Sequence, residues 1–117
     1  MHLKRFVDAK PYDAPNHRGV VSLRLQGFEP GGPANQWVGY SQFLPGGGAG
    51  PDSTPFEKVY VVLDGHMTVI IDGAATVLGP MDSCTIAPNE VREIVNGSNH
   101  VCNMLVVIPY PPGSTPR

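Results

Sequence analysis

The stretch GGGAGPDSTPFEKVYVVLDG, residues 46–65, decides how the rest of the chain is read. Its second half alternates as a strand does: Lys58, Tyr60 and Val62 share one face, and Val59, Val61 and Leu63 share the other. Both faces are largely apolar, so the strand needs cover inside and outside. In a chain this small the expected outer cover is a second copy, which predicts a homodimer. Asp64-Gly65 ends the strand with a tight-hairpin signal. The glycine-rich PGGGAG (45–50) lacks the Lys-Ser/Thr ending and the strand-to-helix setting of a phosphate loop. It reads instead as the turn into a strand on which Asp52, Thr54 and Lys58 have the same parity.

Outward from this stretch, strand signals recur at 19–27, 37–44, 67–73, 75–79, 83–88, 91–97 and 100–109, each bounded by Gly, Pro, Asn or Asp. Helical periodicity is nearly absent. Eight short strands at this spacing predict a sandwich or barrel in one domain over residues 19–110. The 117 residues suit a single core, and 41% apolar against 15% charged content argues for a folded chain. Residues 1–18 read as an N-terminal arm that packs on a partner subunit, and 111–117 as a mobile tail. A net charge of −2 excludes a nucleic-acid surface or a basic membrane face. No apolar run reaches the roughly 18 residues of a membrane helix, and MHLKRFVDAK has no apolar signal core, so a cytoplasmic protein is expected. Cys84 and Cys102 read as reduced, buried thiols, a disulfide requiring that their strands be neighbours. The four histidines are scattered, and none pairs with another His or Cys at ligand spacing. His17 would reach a pocket only if the arm folds over it.

The order Gly46, five residues, Asp52-x-Thr54, three residues, Lys58, six residues, Gly65 resembles the first motif of the cupin family, G-x5-H-x-H-x3-E-x6-G. MDSCTIAPNEVREIVN (81–96) is similar to the second, G-x5-P-x-G-x2-H-x3-N, without a gap. Asn96 matches it, and Arg92 falls on its histidine. The resemblance covers roughly residues 37–110. It implies an all-β fold, the cupin jelly-roll or double-stranded β-helix barrel.

In a typical cupin, three His and one Glu hold a divalent metal. The matching positions here are Asp52, Thr54, Lys58 and Arg92. Thr54 is a weak neutral ligand, Lys58 offers only donors while protonated, and Arg92 has no lone pair to give. At ~5 Å and an effective dielectric near 20, two like unit charges repel by roughly 3 kcal/mol, and a dication doubles that. The sequence therefore predicts no metal at this place and no other cofactor. Converging cations need partners. The expected ligand is a small organic anion, with Arg92 as its anchor through paired hydrogen bonds. Thr54, Tyr40, Gln42 and Trp37 are the further binding candidates. Lys58 is the expected proton donor or electrophile, and Asp52 or Tyr60 the general acid or base. The activity this suggests is a metal-independent isomerase, lyase or decarboxylase. The alternatives are a non-catalytic binding protein with the same pocket, a structural barrel plugged by an Asp52–Lys58–Arg92 salt-bridge cluster, and, last, a metal-dependent cupin enzyme with unusual ligands.

Overall fold

The computed structural model describes residues 1–112. Of the tail expected to be mobile, residues 113–117 lie outside the described residues. A 3₁₀ turn, Phe6–Asp8, is followed by nine strands: β1 (Lys10–Pro11), β2 (His17–Gln26), β3 (Gln36–Asp52), β4 (Lys58–Asp64), β5 (Met67–Ile71), β6 (Ala74–Leu78), β7 (Ser83–Ile86), β8 (Arg92–Val95) and β9 (Cys102–Pro109). All pair antiparallel, in the order β6-β5-β8-β3-β9-β4-β7, with β2 also on β3 and β1 on β2. The result is the expected all-β jelly-roll barrel.

The barrel turns on β3. Its first half pairs with β9, from Gln36↔Pro109 to Phe43↔Cys102. Its second half pairs with β8, at Gly48↔Val95, Ala49↔Ile94 and Asp52↔Arg92. One strand thus passes from one wall to the other. The glycine run that the sequence marks as a turn is itself strand backbone. A Cβ on Gly47 would lie 2.4 Å from the Gly19 carbonyl oxygen, and one on Gly48 2.2 Å from that of Ile94. Side chains here would push neighbouring backbones apart, so glycine is what lets β3 run squeezed between β2 and β8.

The core is made of inward-facing residues from both walls, among them Phe43, Val62, Met67, Ile94, Cys102 and Met104. Asn96 is fully buried with its amide fully used. Nδ2 donates to the Phe43 carbonyl at 3.2 Å and the His100 carbonyl at 2.7 Å, while Oδ1 accepts from the Ser98 amide and hydroxyl. It fastens the turn after β8 to the wall that carries β3. Both cysteines are free thiols.

The arm packs on its own barrel. β1 pairs with β2 at Lys10↔Arg24, Phe6 meets Tyr40 edge-on at 5.3 Å, and Lys4 and His2 both bind Glu29. No helix among the described residues is long and apolar enough to cross a membrane.

Candidate active site

Between the two walls lies a cavity of about 280 Å³. Lys58 and Tyr60 enter it from β4, whose inner face is Lys58, Tyr60 and Val62, all buried. Arg92, the first residue of β8, enters from the other wall beside Asp52, the last residue of β3. Thr54 comes from the β3–β4 loop and Trp37 from the start of β3. Six of the eight expected site residues therefore line one cavity: Asp52, Thr54, Lys58, Tyr60, Arg92 and Trp37. Asp52, Thr54 and Lys58 do so from a strand end, a loop and a second strand, not from one strand face as expected.

Tyr40 and Gln42 are not in the lining. The inward positions of this part of β3 are Gly39, Ser41 and Phe43, all buried. Tyr40 and Gln42 alternate with them and point the other way, where the Tyr40 hydroxyl donates to Asn103 Oδ1 at 2.8 Å. The expectation that they sit in the pocket is corrected by that alternation. The arm contributes what the sequence left open. Tyr12, Asp13, Ala14 and Pro15 line the cavity, and so does His17, stacked on Phe43 at 6.4 Å with its Nδ1 donating to the Pro15 carbonyl. Arg24 and Ser41 are further lining residues that carry no local sequence signal.

Lys58 is only 4% exposed and Arg92 only 5%. Arg92 Nε donates to the Tyr60 hydroxyl at 2.8 Å, but its Nη1 is buried with no partner among the described residues. Nη1 sits 2.8 Å from where a Cβ on Gly50 would be, so the absent side chain makes its berth. Among the described residues Lys58 Nζ makes one hydrogen bond, to Thr54 Oγ1 at 3.5 Å, the outer limit of such a bond. Among the described residues no ion pair joins Asp52 to Lys58 or Arg92; the ion pairs are His2–Glu29, Lys4–Glu29 and Arg18–Glu93. The closed salt-bridge plug does not form. Two buried cations face a cavity with donors unspent.

Burial lowers the Lys58 pKa to about 8, and neighbouring Arg92 adds to the shift against the opposing charge of Asp52. Burial raises the Tyr60 pKa while Arg92 opposes the rise. Burial also holds His17 below its ordinary value, against the Pro15 carbonyl and with help from Arg92 and Lys58.

A cupin-type metal does not fit this donor set. The family's four ligand positions carry one carboxylate, one hydroxyl and two cations, and no group of three His, Cys, Asp or Glu among the described residues converges to hold an ion.

Comparison with known proteins agrees on the fold. The profile of the Cupin domain family matches residues 39–108. A Mycobacterium tuberculosis protein named beta-D-galactosidase Rv1717 is 46% identical over 111 residues, 95% of this chain and 96% of the relative. Among solved structures, the polyketide cyclase RemF of Streptomyces resistomycificus superposes with a TM-score of 0.82 at 24% identity, covering 93% of this chain and 79% of that one. An RmlC-like cupin of Shewanella frigidimarina does so at 0.77 and 17% identity, covering 97% and 94%. With profile, full-length relative and superposition in agreement, the chain belongs to the Cupin domain family.

Proposed function

We propose that the cavity is the active site of a metal-independent glycoside hydrolase acting on β-D-galactosides. The observation that carries the site is the pair of buried cations, Lys58 and Arg92, facing the cavity with unpartnered donors. The substrate class is supported by the 46% identical relative named a beta-D-galactosidase. Oxygen-rich sugars suit such donors. Hydrolysis needs a proton given to the departing oxygen and a proton taken from water. Lys58, with a pKa lowered to about 8, holds a proton at neutral pH that it gives up easily. As the bond between the anomeric carbon and the leaving oxygen breaks, that proton passes to the leaving oxygen. Asp52 takes one from the water whose oxygen bonds to the anomeric carbon. The Arg92–Tyr60 pair holds a sugar oxygen in place. Solvent then returns the proton from Asp52 to Lys58.

The test is release of nitrophenol from 4-nitrophenyl β-D-galactoside, beside the β-glucoside and α-galactoside. Turnover specific to the β-galactoside, lost in Asp52→Asn and Lys58→Met, supports the reading. No turnover, together with no thermal stabilisation by galactose or its glycosides, overturns it. A second reading rests on the missing counter-ion at Lys58 and Arg92: the ligand is a small organic acid, and the same residues serve an isomerase, lyase, decarboxylase or binding protein. Stabilisation by small carboxylates without any galactoside effect selects that reading.

A further inference from the structure

A third cation lines the same cavity, on the side away from Lys58 and Arg92. Inward-facing positions form one row across four strands: Tyr60 on β4 pairs with Val106 on β9, Val106 with Gly39 on β3, and Gly39 with Arg24 on β2. Three strand spacings, roughly 14 Å along the sheet, thus separate Arg24 from the Tyr60–Arg92 end. The Arg24 guanidinium lies among three rings, 4.2 Å from the Phe28 centroid, 4.7 Å from Tyr12 and 5.0 Å from Trp37. Its Nε is buried without a partner, and its side chain takes part in no hydrogen bond or ion pair among the described residues. Asp13, the nearby cavity carboxylate of the arm, does not pair with it. Gly39 lets Tyr12 and Trp37 close in on the sheet beside Arg24. A Cβ there would stand 2.6 Å from the Tyr12 hydroxyl and 3.0 Å from both Trp37 and Val106.

Rings around a guanidinium satisfy its faces and leave its in-plane N–H groups for an acceptor. The acceptor that matches that planar fork is a carboxylate. Tyr12 and Trp37 line the cavity beside it and suit a flat carbon frame. We infer that Arg24, Tyr12 and Trp37 form a second subsite, which takes a carboxylate borne on a planar group at the far end of the ligand. On the galactoside reading, from which only the choice of probe follows, that group is the leaving portion of an acidic glycoside.

The test compares 4-carboxyphenyl β-D-galactoside with its methyl ester, by calorimetric binding and by turnover. A charge-assisted hydrogen bond predicts that wild type binds the acid at least about tenfold tighter. Arg24→Gln should remove the preference by raising KM for the acid at least about tenfold more than for the ester. Lys58→Met, which alters the opposite end and stops turnover, should keep the preference in calorimetric binding. If Arg24→Gln does not fold, Arg24→Lys decides, because losing the fork must reduce the preference. Absence of a preference in wild type, or an undiminished one in the Arg24 variant, overturns the subsite. If neither glycoside binds, the galactoside reading fails by itself. The pair benzoate and benzamide then decides the subsite by the same ratio, and equal or absent binding of the two overturns it.

Discussion

Lys58 is where the chemistry of this barrel is most exposed to measurement. Its folded pKa of about 8 lies below the ordinary lysine value of 10.5, chiefly because burial strips water from the ammonium. As proton donor it must be charged, so kcat/KM for an aryl β-D-galactoside should be level below pH 8 and fall about tenfold per unit above it. Lys58→Met should lower kcat by roughly 10² to 10⁴-fold and abolish that limb. The same shift has a stability consequence of opposite sense. Between pH 8 and 10.5 the unfolded chain holds the proton that the folded one has released, so this group's contribution to stability rises with pH across that window. Thermal melts should show the wild type gaining on Lys58→Met from pH 8 to 10.5. A flat difference would mean that the folded lysine titrates normally. The sequence made Lys58 and Arg92 legible because each stands where a related chain keeps a ligand. It left His17 dependent on the fold of the arm and hid Tyr12 and Arg24, whose importance lies only in what the folded arm and β2 bring near.

At the scale of elements, the strand ends were legible and the corner was not. Residues bounded by Gly, Pro and Asp signals became β4 to β9 nearly as spaced, because alternation and turn residues mark such strands locally. β3 runs on through Gly46 to Gly50, where Ala49 carries the one side chain and nothing alternates, so a strand and a turn look the same. The structure separates two glycine roles that the sequence merges. Gly48 is required by close approach, its Cβ falling 2.2 Å from a backbone oxygen that cannot move aside. Gly46 has open space around it and is required only for its φ of +80°. Gly46→Ala should therefore cost about 1 to 2 kcal/mol in urea unfolding, the strain of a left-handed residue. Gly48→Ala should cost more than about 4 kcal/mol or prevent folding, because two strands must part. Equal costs would refute the corner built on close packing. The placing of Tyr40 and Gln42 was an error of the same level. Strand alternation alone sends them opposite to Ser41 and Phe43, and Trp37 reaches the cavity because it shares their parity.

For the whole molecule, the cavity is a cost that function must justify. A jelly-roll of this size has a small core, and it spends buried positions on Lys58 and Arg92, with no counter-ion within ion-pair reach and one guanidinium nitrogen unpartnered among the described residues. Isolated buried charge destabilises, and exchanging polar clusters for apolar residues of similar volume is often neutral or favourable by about 1 to 4 kcal/mol. Tyr60 must change with them, since its hydroxyl would lose the Arg92 Nε donor. The triple variant Lys58→Met, Tyr60→Phe, Arg92→Met should thus melt higher than wild type without ligand, by about 4 °C for each kcal/mol recovered in a chain of this length. It should also lose every ligand-induced shift in melting temperature that the wild type shows. The two readouts together identify a site held ready at the expense of stability. A triple variant that melts lower would mean instead that the cationic cluster holds the two walls together, with Arg92–Tyr60 as the tie between β8 and β4.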